Sequence, residues 1–451
     1  MKTISTANEG VLTILKRFKQ KGKSCRLMHY CVEQCVDEGV LLLNLLTREV
    51  VCLSKDEYAH ITELDYLRDH WFLVPENANE KEYADLVKWV LTNKQKKSKN
   101  ITGYTIFPTT DCNARCFYCF ELGRSRIPMM PETAEKTASY IKEHCGNEKV
   151  SIRWFGGEPL YNQQAIEIIC NSLRYENIEF ESSMVSNGYL FDDETICKAA
   201  DQWNLKIVQI TLDGTEAVYN KTKAFIYKNS NPYQKVLRNI DLLLDASVAV
   251  SIRLNMDLYN AGDLLTLVDE LSQRFRGRKG IYVYAHHLFD GDKPMATTHT
   301  DEEWKKRDEA MCRLEEKIEQ HGLASMHGIS KHLKLNHCMA DSGKSVTILP
   351  DGNIGLCEHF SEDEFIGHID REEFDTQTVA SWKERMPEIP ECAECFYYPE
   401  CIKLKKCASE SICFRQLREE KLRKVKRQML NEYEKWLEKA QTEDSDETDF
   451  C

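Results

Sequence analysis

Between residues 101 and 290 the chain repeats one pattern, a short apolar run followed by a longer stretch of helical periodicity. The runs are GYTIFP, VSIRWF, ESSMVS, KIVQITL, VAVSIRLN and GIYVYAH. In the helical stretch MPETAEKTASYIKEH, Pro131 and the acidic residue behind it suit a first turn. Repeated strand–helix units demand a parallel sheet with right-handed crossovers. Six such units are too few to close a regular eight-stranded barrel, so an α/β fold is expected, with an open, partial (β/α)6 barrel over 101–300. Barrels of this type carry their reactive groups at the C-terminal ends of the strands.

At 451 residues the chain exceeds one ordinary domain. Residues 1–95 predict a small α+β module. GVLLLNLLTREVVCLS gives two strands around a polar turn at Leu46–Arg48, and KDEYAHITELDYLRDHWFLVPE gives one helix with a short strand-like ending. The lysine-rich TNKQKKSKN, Thr92 to Asn100, predicts a linker. Residues 301–334 form a bridging helical region and 335–415 a cysteine-rich, loop-rich one. There SVTILPDGNIGLC predicts a hairpin turning at Asp351–Gly352 and delivering Cys357. Residues 416–451 predict a charged helix packing on its own protein through Leu417, Leu422, Val425, Met429, Tyr433 and Leu437. The acidic tail behind it is expected to be disordered.

A net charge of −13, from 60 basic and 73 acidic residues, argues against a chain built to coat nucleic acid or an anionic membrane. Neither a signal peptide nor a membrane-length apolar run is evident, so a cytoplasmic protein is expected. In a reducing compartment nineteen cysteines point to metal rather than to disulfides.

The cysteines cluster. TTDCNARCFYCFE places Cys112, Cys116 and Cys119 just past the first barrel strand and offers no fourth thiol nearby. Structural zinc and ordinary iron–sulfur sites take four protein ligands, so one metal position is left for something other than protein. WFGGEPL follows the second strand, with Gly156, Gly157, Glu158 and Pro159; its glycines permit a close backbone approach, and Glu158 could accept from an ammonium group. Ser186 and Asn187 end the third strand, where they can bond a ribose or carboxylate, and Thr211 and Asp213 end the fourth. The second group is Cys338, Cys357, Cys392, Cys395, Cys401, Cys407 and Cys413.

Cys-x3-Cys-x2-Cys with its aromatics, Tyr118 among them, resembles the signature of the radical S-adenosylmethionine (SAM) superfamily, and GGEP resembles the motif that holds the SAM amino group there. The resemblance implies a [4Fe-4S] cluster on Cys112, Cys116 and Cys119 that cleaves SAM to a 5′-deoxyadenosyl radical. It also implies cofactor contacts from Tyr118, Gly156, Gly157, Glu158, Pro159, Ser186, Asn187, Thr211 and Asp213. Where relatives often carry a histidine and an arginine after the fourth strand, Tyr219, Lys221 and Lys223 stand here, which makes Arg253 the alternative partner for the SAM carboxylate.

The C-terminal cysteines resemble the SPASM domain of radical SAM peptide maturases, which carries two auxiliary [4Fe-4S] clusters. Carried over by position, Cys392, Cys395, Cys401 and Cys413 hold one. Cys338, Cys357 and Cys407 hold the other, with the division of Cys407 and Cys413 left open. Gly343 and Lys344 stand where relatives place a further cysteine, and Cys312 lies in a helical pattern that suits a core thiol, so this second set has three obvious ligands and could bind a substrate thiolate. The strand pair and helix of residues 1–95 resemble a winged-helix-like element that grips the leader of a ribosomally made precursor peptide by strand addition. The implied partners are that precursor peptide and an electron donor such as flavodoxin or ferredoxin. The implied activity is oxidative cross-linking of the peptide, as a cysteine thioether, with Glu358 a candidate base. Formylglycine generation and a non-catalytic electron carrier are the alternatives.

Overall fold

The computed structural model describes residues 1–18, 24–95, 100–288, 299–324, 327–335, 338–359, 364–371, 373–401, 403–407, 413 and 415–448. The N-terminal module comprises β1 (Lys2–Ser5), α1 (Glu9–Leu15), β2 (Cys25–Leu27), β3 (Cys31–Val36), β4 (Gly39–Asn44) and β5 (Glu49–Leu53). It continues with α2 (Lys55–Ala59), α3 (Asp65–Asp69), β6 (Leu73–Pro75) and α4 (Glu80–Gln95). Four strands form an antiparallel sheet in the order β1-β5-β4-β3. Because β4 and β5 are apolar at nearly every position, both faces of that sheet are buried. Leu41, Leu43 and Val50 face one core, and Leu42, Val51 and Leu53 face another with Leu67 and Phe72.

The single helix expected after β5 is broken. Ser54 caps α2 with a reciprocal Glu57 bond, a 3-10 turn spans Ile61–Glu63, and extended Leu64 resets the chain before α3. Leu67 on α3 then joins the second core, fully buried. Of the stretch 92–100 expected as a linker, α4 takes in residues through Gln95, and 96–99 lie outside the described residues.

The barrel follows: β7 (Gly103–Ile106), α5 (Pro131–Cys145), β8 (Val150–Trp154), α6 (Gln163–Tyr175), β9 (Phe180–Ser186), α7 (Asp193–Asp201) and β10 (Leu205–Leu212). It is completed by α8 (Glu216–Lys223), α9 (Pro232–Asp245), β11 (Ala249–Met256), α10 (Ala261–Phe275) and β12 (Ile281–His287). These six strands pair in parallel, each with the next. Period-two alternation sends Ile152, Val208, Ile210, Val250 and Ile252 into the core against the helices. Their neighbours Arg153, Ser183, Gln209, Ser251 and Arg253 line the concave side.

After α11 (Asp301–Gln320) and α12 (Met339–Ser342), β13 (Ser345–Ile348) pairs in parallel with β7. Then β14 (Asn353–Gly355) and β15 (Gly367–His368) extend the same sheet to nine strands. The hairpin thus pairs along β7 and is followed by Glu358 and His359, which line the same cavity as Cys112, Cys116 and Cys119. Beyond α13 (Thr376–Trp382) lies α14 (Arg415–Thr448), whose helix continues through acidic residues that composition marks as disordered. Cys451 lies outside the described residues.

The N-terminal module is not a separate bead. Its main core also contains Ile329, Leu333 and Leu335, Tyr398 from the cysteine-rich region, and Val425, Met429 and Tyr433 of α14. Among the described residues no helix is long and apolar enough to cross a membrane.

Candidate active site at the barrel strand ends

A cavity of about 540 Å³ opens at the C-terminal ends of the barrel strands, within the size range of small-molecule sites. Cys112, Cys116, Cys119, Tyr118, Gly156, Gly157, Ser186, Asn187, Thr211, Arg253 and Glu358 line it. Glu158, Pro159 and Asp213 are fully or almost fully buried and do not line it.

That placement changes what the GGEP turn does. Gly157 N–H donates to the Thr109 carbonyl (3.2 Å), and Glu158 N–H to the Asp111 carbonyl (2.9 Å). A Cβ on Gly157 would stand 2.2 Å from the Asp111 carbonyl oxygen, and one on Gly156, at φ +120°, 2.4 Å from that of Thr109. The glycines let this turn lie directly against the cysteine loop. Glu158 accepts from the Ser186 hydroxyl (2.8 Å), Asn187 N–H (2.8 Å) and Leu160 N–H (3.2 Å). Burial raises its carboxyl to about 7, opposed by those hydrogen bonds. It braces β9 to the cysteine loop, and Ser186 is part of that brace. Asn187 Nδ2 reaches the loop too, donating to Asn113 Oδ1 at 2.7 Å.

We expect Gly157→Ala to displace the cysteine loop, costing about 1–3 kcal/mol and lowering iron bound by Cys112, Cys116 and Cys119. Gly262→Ala is the control, because a Cβ there meets nothing within 4 Å; iron analysis and thermal unfolding compare the two.

Asp213 has a different partner from the one expected. The Tyr118 hydroxyl donates to its Oδ2 (2.6 Å) and accepts from Lys223 Nζ (2.8 Å), while Lys223 Nζ pairs with the same Oδ2 at 3.0 Å. Lys223 is buried yet lines the cavity. Burial works against its charge, but Asp213 and Tyr118 hold the ammonium well above its usual range. The triad fixes the motif's tyrosine and puts a cation beside Cys116. Sequence reasoning noted Lys223 only as a missing histidine or arginine; its i+10 spacing from Asp213 was the available signal. Lys223→Met should destabilise the fold by about 3–5 kcal/mol by leaving Asp213 buried without its cation. Adding Asp213→Asn should restore part of that loss in the same unfolding measurement.

His359 was also missed. It lines the cavity beside Glu358, delivered by the docked hairpin, and its ring lies 4.3 Å from that of Phe120.

All cysteines among the described residues are free. Burial pushes the Cys112 thiol up to about 12 and raises Cys116 and Cys119 as well. A bound metal reverses that, since a coordinating thiol is deprotonated outright. Among the described residues no three His, Cys, Asp or Glu side chains are grouped to hold a single metal ion; the three thiols share one cavity wall with Arg253, a donor set of the kind an iron–sulfur cubane takes. Further along, Cys392, Cys395, Cys401 and Cys413 line a second cavity of about 240 Å³. Cys338, Cys357 and Cys407 pack against the barrel core, within electrostatic reach of one another. Cys312, half-buried on α11, lines neither cavity.

Residues 106–271 match the family model of the radical SAM superfamily. The cysteine loop, the Gly156–Pro159 turn and strands β8 to β11 all lie within the matched residues. The chain is 25% identical over 169 residues to the radical SAM cyclopropyl synthase TigE of Paramaledivibacter caminithermalis, covering 31% of this chain and 36% of that protein. It is 28% identical over 179 residues to the GTP 3′,8-cyclase of Clostridium perfringens, covering 39% and 53%. The chain thus spans only 36% and 53% of the length of these curated relatives. Among solved structures, native anSMEcpe with bound AdoMet superposes at a TM-score of 0.56, with 16% identity over 75% of this chain and 99% of that one. Streptococcus suis SuiB bound to precursor peptide SuiA superposes at 0.51, with 12% identity over 85% and 95%. At these identities the likeness is one of fold.

Proposed function

We propose that the chain is a radical SAM peptide maturase of the SPASM type, which forms a cross-link, most directly a cysteine thioether, in a ribosomally made precursor peptide. The observation that carries this reading is the convergence of Cys112, Cys116 and Cys119 on a cavity to which the docked hairpin also brings Glu358 and His359. In this reading Cys112, Cys116 and Cys119 hold the radical SAM cluster, Cys392, Cys395, Cys401 and Cys413 one auxiliary cluster, and Cys338, Cys357 and Cys407 the other. The groups so held supply one-electron chemistry: SAM cleavage leading to hydrogen abstraction from the peptide, and removal of the electron that remains.

The chain's own residues bind and orient. Arg253 offers a cation to the SAM carboxylate, and Asn187 and Thr211 offer polar contacts for its ribose. The Glu158 brace and the two glycines hold the cysteine loop against β8 and β9, so the cavity is shaped before ligands arrive. Glu358 stands in the wall to take the proton of a substrate thiol. The N-terminal sheet ends on β1 and β3, edges of the kind that accept an added peptide strand. The SuiB structure contains a precursor peptide, which supports a peptide substrate for a fold of this kind.

The test is co-expression with a short cysteine-containing peptide encoded beside the gene, followed by mass spectrometry. A thioether leaves the peptide two hydrogens lighter, with one thiol fewer to alkylate. An unmodified peptide contradicts the reading, and an aldehyde in place of the cysteine side chain favours formylglycine generation.

A further inference from the structure

The cavity around Cys392, Cys395, Cys401 and Cys413 is walled by three separate parts of the chain. The cysteine-rich region supplies Arg385, Glu388, Glu391 and Lys403, and Arg418 comes from α14. Lys88 comes from the N-terminal module, three hundred residues away in sequence. Its Nζ donates to the Tyr398 carbonyl at 2.5 Å and lies 4.1 Å from the centre of the Tyr398 ring. The same helix supplies Asp85, which accepts from the Tyr398 hydroxyl at 2.7 Å. Arg48, in the β4–β5 turn, pairs with buried Glu400 at 2.9 Å, next to Cys401. The segment carrying Cys401 is therefore clamped from the N-terminal side by at least three contacts.

The charge of the wall has a direction. Four cations, Lys88, Arg385, Lys403 and Arg418, face two carboxylates, Glu388 and Glu391. Four cysteine thiolates around an iron–sulfur group leave net negative charge, which grows on reduction, and fixed cations beside such a group stabilise the reduced form. Lys88 alone among the four belongs to the N-terminal module.

We propose that the N-terminal module completes the C-terminal cysteine site, with Lys88 supplying a positive charge that raises the reduction potential of the group held there. This rests on the assignment of an iron–sulfur cluster to Cys392, Cys395, Cys401 and Cys413.

The experiment is a redox titration followed by electron paramagnetic resonance, in a full-length background with Cys112, Cys116 and Cys119 replaced by alanine. The signal from the Cys338, Cys357 and Cys407 set serves as internal reference. Lys88→Gln should shift the reduction equilibrium of the other signal about tenfold toward the oxidised form, ~59 mV for one electron, with iron content unchanged. Lys88→Arg should keep the wild-type value. Lys94→Gln, which removes an exposed cation from the last turn of the same helix, away from the cavity wall, should leave it unmoved. An unmoved signal in Lys88→Gln, or an equal shift in Lys94→Gln, overturns the inference. If Lys88→Gln loses the cluster, Lys88→Arg decides: retention of iron and potential supports the charge, and loss in both shows that packing alone is at work and overturns it. The underlying assignment fails separately, if Cys392→Ala with Cys395→Ala leaves the iron content unchanged.

Discussion

Replacing Cys112, Cys116 and Cys119 together with alanine is expected to remove about four irons per chain, one cubane's worth, and all SAM cleavage. The three thiols line one cavity, on a loop tied to the β8 turn by two backbone hydrogen bonds. The other cysteines rest on different supports. Cys338, Cys357 and Cys407 pack at the β13–β14 hairpin side of the barrel core, and Cys392 and Cys395 pack against the N-terminal core. These supports do not include the first loop, so iron bound on them should remain. Anaerobic reconstitution followed by iron and sulfide analysis makes the comparison; equal iron in variant and wild type would refute the assignment.

Arg48→Met is expected to cost about 3–5 kcal/mol, because it leaves the Glu400 carboxylate buried without its cation. The pair is among the most enclosed in the molecule, with side-chain exposures of 3% and 6%. Arg48 also donates from Nε to the Ser330 carbonyl at 2.8 Å, so one side chain ties the N-terminal turn to two later segments. Lys334 N–H still reaches Glu400 in the variant, at 3.2 Å, but a neutral donor does not replace a charge. Since Glu400 precedes Cys401, the variant should also hold less iron at the second cavity. Thermal unfolding reads the first effect and iron analysis the second; adding Glu400→Met should recover much of the stability. Deleting residues 1–95 should do the same damage more severely, because the deletion removes most of a core that Tyr398 and α14 share.

What could be seen in the sequence was what is local. Each barrel strand announces itself by alternation within a few residues, and all six formed where the apolar runs lie. The hairpin at Asp351–Gly352 and the cysteine spacing are equally short-range signals. The break between α2 and α3 was missed because helical periodicity continues across Leu64 although its backbone does not. Glu158 and Asp213 were assigned to ligand contact from their motifs. The structure commits them to Ser186, Asn187, Tyr118 and Lys223, partners that neighbouring strands supply and that no spacing reveals. The junction between the N-terminal module and the cysteine-rich region was the least visible, since Arg48 and Glu400 are 352 positions apart and meet only once both regions have folded.

The most direct measurement takes the reconstituted, reduced protein, adds SAM and quantifies 5′-deoxyadenosine and methionine over time. The expected result is both products in equal amounts, abolished in the Cys112, Cys116 and Cys119 variant and stimulated by the precursor peptide. Protein with its full complement of iron that yields neither product would contradict the central claim.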